Sequence, residues 1–440
     1  MTSSNLQRIR NLTPYLIGLF PASLISGPLL TEIISFLLIL LFLIFLSIEK
    51  KYYIFKNNIF IIFILFCFYL TLGSLFSDNV FFSLKNSFFY FRFGFLVLAI
   101  SYFLNNEEKT LNIIYYLFTI AIFFLVLDSF IQIFNGKNIL GYVSDPRYNN
   151  LRISGLFGDE YILGSFLQKI FPIYLYLIFK KFKNHEKLFY FNFFLLSLII
   201  SIVFRSGERS AFFLLFLFFL MFLFVNRFML KKILILFLIS LSIMMTLTFT
   251  FTENIGLTNN KNFIEFHIIR TYDQIFDRKK FWEKKFNETN KKNFYVFSYA
   301  HEKQFETAFR MFKDKPIFGH GLKMYRHKCD NYSSSAYGCS SHPHNTYIQL
   351  LAETGLIGFL FVFITFLLIV KKIYFYSINS NRKKYVEISS ILLIGIFINL
   401  WPFIPTGSFS NNWISFLYYL PIGFYFFEKK YFYENVDSRV

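Results

Sequence analysis

The chain has 440 residues, 55% of them hydrophobic, with a mean hydropathy of +0.48 and a formal net charge of +19. Soluble domains rarely exceed about 45–50% apolar residues, so an ordinary soluble globular protein is excluded. The positive charge does not indicate a nucleic-acid partner, because no Lys/Arg run carries an interleaved motif for RNA or DNA and membrane topology explains much of it.

The apolar residues are concentrated in stretches that approach the ~20 residues needed to cross a bilayer as a helix. The fold class predicted is therefore an all-α, polytopic membrane helix bundle with about 12 transmembrane helices and one large hydrophilic loop that contains short helices. The stretches lie near residues 13–28, 30–48, 57–76, 88–104, 110–134, 160–179, 188–204, 210–226, 233–252, 345–370, 387–403 and 412–427. The first lacks a clear cleavage site, and we expect it to be retained.

Lysine and arginine are concentrated in alternate connections between these stretches, such as Lys50–Lys51, Lys180–Lys187 and Lys371–Lys384. The positive-inside rule places these connections, and both termini, in the cytoplasm. The organisation predicted is an N-terminal bundle of about nine spans at 1–252, a large loop on the outer side at 253–343, and about three C-terminal spans at 344–440.

The large loop has its own local pattern. Phe305, Ala308, Phe309 and Phe312 follow the i, i+3, i+4, i+7 spacing of an amphipathic helix. Cys329 and Cys339 lie farther along the loop, and an oxidising outer compartment would allow a disulfide between them.

A histidine-rich segment, Ser341–Asn345, leads from the loop into the tenth apolar stretch. His344 is expected at the mouth of that helix, with Asn345 as a capping residue and His342 beside it. Gly355 and Gly358 would let a neighbouring helix approach closely. The alternative interpretation is a capped helix with histidines at the membrane surface and no chemical role.

Several arginines lie at the outer ends of spans, where a charge is costly and usually functional. They are Arg92, Arg152, Arg205 and Arg209, to which the loop adds Arg310. A guanidinium group can bind phosphate oxygens through two hydrogen bonds, so a lipid-linked phosphate substrate fits this set. Snorkelling at the interface is the alternative. No acidic or His/Cys cluster predicts a metal site, and no cofactor is expected.

The motif His344-Asn345, nine residues, then Gly355-Leu356-Ile357-Gly358 resembles the His-Asn-x9-Gly-x-x-Gly signature of bacterial O-antigen ligases. Asp314–Gly321 is similar to the Pro-x-x-Gly-x-Gly segment of the same superfamily, which also contains O-antigen polymerases. Arg152–Gly155 and Gly207–Ser210 resemble two further landmarks of that family. The resemblance extends over about residues 152–370.

The resemblance implies a metal-independent glycosyltransferase of the bacterial inner membrane whose active site faces the periplasm. It would take a glycan from undecaprenyl diphosphate and pass it to lipid A–core, as ligases do, or to a lipid-linked glycan, as polymerases do. By similarity, His344 is the candidate base and Arg209 a candidate diphosphate partner. Many members have an arginine where spacing here places His301, for which Arg310 is an alternative.

Other expected partners are membrane lipids and a chain-length regulator or a flippase. Competing interpretations of the whole chain are a polysaccharide or lipid flippase, or another transporter, and a structural membrane protein. A flippase suits twelve spans and a basic outer cavity, but it does not need a large loop that ends in the His-Asn motif.

Overall fold

The computed structural model describes residues 3–104, 107–144, 152–181, 186–249, 297–383 and 387–430, and over these the chain is helical without a named strand. Six helical stretches are long and apolar enough to cross a membrane: Pro28–Glu49, Asn58–Leu75, Val80–Phe103, Glu108–Asn135, Arg227–Leu247 and Thr346–Ser380. The prediction of an all-α, multi-pass membrane protein is confirmed.

The α-helices are numbered in chain order. They are α1 (Ser3–Arg10), α2 (Thr13–Gly18), α3 (Phe20–Ser26), α4 (Pro28–Glu49), α5 (Asn58–Leu75), α6 (Val80–Ser87), α7 (Arg92–Phe103), α8 (Glu108–Asn135), α9 (Leu163–Lys181), α10 (Glu186–Arg205), α11 (Arg209–Val225), α12 (Leu230–Phe249), α13 (Tyr299–Asp314), α14 (Tyr325–Tyr332), α15 (Thr346–Lys383), α16 (Ile388–Asn399) and α17 (Asn412–Glu428).

Each of the predicted apolar stretches contains a helix, but the first is not continuous. It consists of α2 and α3, and each has a proline, Pro14 or Pro21, in its first turn. Proline is accepted there because its missing N–H has no partner within the helix. The total of twelve spans therefore stays a prediction, and most of the first half of the large loop, 250–296, lies outside the described residues.

Ion pairs tie helix ends together at the lysine-rich end of the bundle. They are Arg10–Glu49 (3.1 Å), Lys180–Glu428 (2.8 Å) and Lys429–Glu387 (2.9 Å). The Tyr102 hydroxyl also donates to Glu49 over 2.6 Å. The Arg10 and Tyr102 contacts to Glu49 join α1, α4 and α7, and the lysine contacts join α9, the C-terminal end of α17 and the residue before α16. The hydrophilic loops of the site lie at the opposite end, which we call the histidine end.

Helix α15 is broken at Gly355, whose φ of 64° and ψ of −166° are not helical. The single helix expected at 345–370 is therefore wrong in detail: residues 346–354 form a short helix, and the long span begins at Leu356. Glycine adopts this backbone conformation because it has no Cβ. The break frees backbone carbonyl groups that need hydrogen-bond partners inside the protein.

The loop after α13 supplies those partners. His320 N–H donates to Ala352 O (3.0 Å), and Gly321 N–H donates to Glu353 O (2.9 Å). Leu356 N–H donates in turn to Pro316 O over 2.8 Å. The Pro-x-x-Gly-x-Gly segment is therefore hydrogen-bonded to residues on both sides of the break in α15. This segment and the Gly355 motif thus form one structural unit.

The prediction that a helix packs against Gly355 is wrong for that glycine. A Cβ atom at Gly355 would overlap the carbonyl oxygen of Ile317, which belongs to the loop after α13. At Gly358 the neighbour outside α15 is the Tyr69 ring of α5, 3.4 Å from the Cβ position, so a helix does approach there. The Tyr69 hydroxyl donates to Ile317 O over 2.9 Å and to Thr354 O over 2.5 Å, and so holds loop and helix together.

Candidate functional site

Three histidines from two distant segments of the sequence meet at the histidine end. The ring centres of His342 and His344 are 4.1 Å apart, and those of His301 and His344 are 5.3 Å apart. His301 comes from the first turn of α13, and the other two come from the loop before α15. The structure therefore places His301 beside His344, where spacing predicted the counterpart of a family arginine.

The backbone around His344 is held by the loop between α16 and α17. His344 has a left-handed φ of 55°, and its carbonyl accepts a hydrogen bond from Thr406 N–H over 2.8 Å. The Asn345 side chain accepts from Tyr347 N–H (3.0 Å) and donates to Pro402 O (2.8 Å). Asn345 is thus both the cap of the short helix at 346–354 and its link to the next loop.

Serine hydroxyl groups orient the other two histidines. Ser298 Oγ lies 2.9 Å from His301 Nδ1 and also accepts from His301 N–H, which caps α13. Ser341 Oγ lies 2.9 Å from His342 Nδ1, and His342 Nε2 is buried. Each ring therefore has one nitrogen held by a hydroxyl group close in sequence.

The histidine rings favour the neutral form. Burial lowers the pKa of His344 below its ordinary value of 6.5. Burial and the neighbouring His344 ring lower the pKa of His342 to about 3. Removing a cation from water is unfavourable, so both rings are uncharged near neutral pH. A neutral imidazole can accept a proton from a hydroxyl group.

The turn between α10 and α11 carries Arg205 and Arg209, and the buried carboxylate of Glu208 fixes it to the start of α9. Glu208 accepts hydrogen bonds from Gly164 N–H (2.6 Å) and Ser165 N–H (3.1 Å). A Cβ atom at Gly164 would overlap Ser206 Oγ, so the turn can pack this closely only against a glycine. Glu208 was not among the predicted site residues, although it lies between the two arginines.

Arg205 and Arg209 differ in exposure. Arg205 ends α10 and is 5% exposed, whereas Arg209 begins α11 and is exposed to solvent. Arg152 lies near Glu208 and donates to Tyr161 O over 2.9 Å. The structure therefore gathers three of the predicted arginines around the first turn of α9.

Arg92 and Arg310 have other surroundings. Arg92 at the start of α7 forms an ion pair with Glu32 over 2.9 Å. Arg310 pairs with Glu306 and donates to Tyr332 O. It lies nine residues after His301, or roughly 13 Å along an α-helix. Arg310 is therefore not placed where it could replace His301 beside His344.

Two basic residues near the histidines, Lys323 and Arg326, were not among the predicted site residues. Arg326 lies close enough to His342 to oppose protonation of its ring. Lys323 lies within electrostatic reach of Arg326, Arg92 and Glu353. The position of Lys323 and Arg326 just after the Pro-x-x-Gly-x-Gly segment is the sequence signal that could have identified them as site residues.

Cys329 and Cys339 form a disulfide in the structure, with Cα atoms 5.1 Å apart. The Tyr325 hydroxyl donates to Gly338 O over 2.7 Å and to Gln304 O over 3.2 Å. These links fasten α14 and the loop before His342 to α13. Within the described residues, one cluster, Cys329, Asp330 and Cys339, has the spacing of metal ligands, but its two sulfur atoms are bonded to each other.

We expect the same disulfide in the protein isolated from its membrane. Proteolysis without reductant should release a peptide pair joined through Cys329 and Cys339, which mass spectrometry detects. Reduction should separate the pair, while buried Cys67 should be alkylated only after unfolding. Two free loop thiols in protein isolated with a thiol-blocking reagent would contradict this prediction.

Aromatic contacts join the loops at the histidine end. The Phe157 ring lies 6.1 Å from the ring of Trp413 at the start of α17, and the Trp413 indole N–H donates to Leu24 O over 2.9 Å. The ring of Tyr90 lies 6.0 Å from that of Phe409. The segments that carry Arg92, Arg152 and His344 thus contact one shared framework, the loop before α17 and its first turn.

Residues 193–363 match a protein family model described as O-antigen ligase. The matched part contains Arg205, Arg209, His301 and His344, whereas Arg92 and Arg152 precede it. No curated protein matches the chain.

Proposed function

We propose that the chain transfers a glycan from undecaprenyl diphosphate to an acceptor hydroxyl group. The premise is the O-antigen ligase domain at residues 193–363, which places the chain in the O-antigen ligase/polymerase superfamily. The observation that carries the proposal is the neutral, partly buried His344 ring among His301 and His342. It suits a reaction in which a hydroxyl group must lose a proton.

His344 is the general base in this proposal. The acceptor oxygen forms a bond to the anomeric carbon of the donor glycan, while the bond from that carbon to the diphosphate oxygen breaks. The acceptor proton moves to the His344 imidazole, and undecaprenyl diphosphate departs with the bonding electrons. A well-placed base contributes about 10²–10⁴-fold to such a step.

Arg209 and Arg205 stabilise the negative charge that grows on the leaving diphosphate. Their turn is held rigidly, because Glu208 accepts two backbone hydrogen bonds at the start of α9. Donors that are fixed before the reaction need no reorganisation as charge develops. Arg152 contributes to the same positive surface, and with arginines in this role the proposed reaction needs no metal ion or other cofactor.

The proposed setting is the bacterial inner membrane, with both termini in the cytoplasm and the histidine end in the periplasm. The concentration of lysine and arginine in the connections opposite the histidine end supports this orientation. We favour lipid A–core as the acceptor, since the His344-Asn345 motif follows the ligase signature. A lipid-linked glycan, the acceptor of a polymerase, is the second candidate.

Purified protein in detergent tests the proposal directly. We expect transfer of glycan from an undecaprenyl diphosphate-linked donor to added lipid A–core, measured by a shift of the acceptor in gel electrophoresis. Detergent leaves no membrane to cross, so a pure flippase or other transporter would give no product. Absence of transfer to lipid A–core and to a lipid-linked glycan would contradict the proposal.

A deletion strain separates the two acceptors. Loss of a ligase should leave lipid A–core bare while long undecaprenyl-linked chains accumulate. Loss of a polymerase should leave lipid A–core capped with a single repeat. Glycan profiling of the strain therefore decides between the two forms of the proposal.

A further inference from the structure

The side chains of two cations beside the histidine cluster have no hydrogen-bond or ion-pair partner among the described residues. They are Lys323 and Arg326, although the backbone N–H of Lys323 donates to the Glu353 carboxylate. Their basic neighbours are paired: Lys315 and Lys328 with Asp78, Arg92 with Glu32, and Arg310 with Glu306. Lys323 and Arg326 are thus set apart from the surrounding basic residues by their free donors.

The two cations belong to one positive cluster. Lys323 lies within electrostatic reach of Arg326 and Arg92, and burial together with these like charges lowers its pKa, although the nearby Glu353 carboxylate opposes the shift. The positive charge of Arg326 also opposes protonation of the His342 ring. Like charges held close together repel, and a bound anion would relieve that repulsion. The cluster therefore offers an anion a position next to the histidines.

The backbone at Lys323 is strained. The described non-glycine residues with positive φ are Lys50, Lys323, His344 and Lys430. Lys50 caps α4 and Lys430 follows α17, which are helix ends where this conformation is common. Lys323 (φ 62°) lies in the turn that Met324 N–H closes by donating to Gly321 O over 3.1 Å, at a position usually taken by glycine or asparagine, and His344 (φ 55°) comes two residues before α15 begins. Strain of this kind is concentrated at functional sites.

Lys323 and His344 are carried by one connected unit. The turn before α14 is anchored because Gly321 N–H donates to Glu353 O over 2.9 Å. The Glu353 carboxylate also accepts from Tyr325 N–H over 3.4 Å and from the Gln349 side chain over 3.0 Å. Both Glu353 and Gln349 belong to the short helix at 346–354, which begins directly after the His344-Asn345 motif.

We infer that Lys323 and Arg326, flanked by Arg92, form a second anion-binding site that takes a phosphate group of a phosphorylated, lipid-anchored acceptor glycan. This inference rests on the proposed function. The acceptor hydroxyl group must reach His344, and Arg326 lies beside His342 in the same cluster. The Arg205–Arg209 turn is left for the donor diphosphate. Arg92 at the start of α7 puts the second site at the end of a membrane span, where the phosphate of a lipid lies.

Binding measurements test the inference separately from catalysis. The probes are lipid A–core, the same glycolipid after phosphatase treatment, and an undecaprenyl diphosphate-linked glycan, each titrated into purified full-length protein in detergent. The double variant Lys323→Gln/Arg326→Gln should bind phosphorylated lipid A–core about tenfold or more weakly, the size expected for a lost charge-assisted hydrogen bond. Its affinity for the dephosphorylated glycolipid and for the donor should not change.

Lys313→Gln is the matched control, because Lys313 is an exposed lysine that lies over the Phe309 ring of α13. It should bind all three probes like the wild type. Weaker donor binding by the double variant would overturn the inference by assigning the cations to the donor site, and unchanged binding of every probe would overturn it too. If the double variant does not fold, Arg326→Gln alone, at an exposed position, serves in its place.

The two proposals fail in different ways. If wild-type protein shows no transfer but the double variant still loses the phosphate-dependent affinity, the proposed function is wrong and the anion site stands. If transfer occurs but the affinity does not depend on phosphate, the anion site is wrong and the proposed function stands.

Discussion

His344→Ala is expected to lower the rate of glycan transfer by about 10²–10⁴-fold, the contribution of a general base. The side chain lies in a cluster with His301 and His342, and Asn345 fixes the adjacent backbone through hydrogen bonds to the short helix at 346–354 and to the loop before α17. Removing the ring therefore removes the proton acceptor without removing the cap of the helix that follows. The measurement is initial rate with purified protein at matched concentrations.

His327→Asn is the control, because His327 is an exposed histidine of α14 that touches the Phe82 ring and lies outside the cluster. It should keep nearly the wild-type rate. A His344→Ala protein that is folded and retains more than about a tenth of the wild-type rate would remove His344 from the proposed mechanism.

The pH dependence of the same reaction gives an independent check on His344. Burial places its folded-state pKa below 6.5, so the ring is neutral above that pH and becomes protonated only on acidification. The value of kcat/KM should be level above about pH 6.5 and fall below it. Stability should fall in the same direction, because the unfolded chain binds more protons than the folded one below pH 6.5. For His342 this loss continues towards pH 3.

Gly355→Ala is expected to destabilise the docking of the loop after α13 on α15, and to reduce transfer with it. The residue has a φ of 64° and a ψ of −166°, a region that essentially only glycine populates, so a side chain there costs about 1–3 kcal/mol. Its new Cβ atom would also overlap the carbonyl oxygen of Ile317. Overpacking of this kind typically costs about 1–3 kcal/mol more. The measurement is the thermal unfolding midpoint in detergent, together with the transfer rate.

Gly27→Ala separates the two causes. Gly27 has a φ of 121° and a ψ of 175°, in the same glycine-only region as Gly355, but a Cβ atom there meets nothing within 4 Å. Gly27→Ala should therefore show only the conformational cost and keep its activity. Equal destabilisation by the two substitutions would mean that the overlap with Ile317 has no effect and that the loop is not held against Gly355 as described.

Hydrophobic patterning was sufficient for the class of fold and for the approximate position of nearly every helix. An apolar stretch of membrane length can be assigned as a helix from the sequence, because a backbone in lipid has to satisfy its own hydrogen bonds. The His344-Asn345 motif was visible for a similar reason, because local spacing encodes a cap and a turn. A cap such as Asn345 depends on residues two and three positions away, and these are read directly from the sequence.

The site depends on long-range contacts that no local pattern specifies. The break at Gly355 looked like part of a helix until its partner, a loop beginning some forty residues earlier, was known. The choice between His301 and Arg310 depended on which turn of α13 faces His344. Lys323 and Arg326 stand out only once their neighbours are seen to be paired. By itself, the sequence determined a membrane bundle with a His-Asn motif, because burial and capping are local or periodic. The tertiary structure alone decided which charges meet that motif, because packing between distant segments sets those distances.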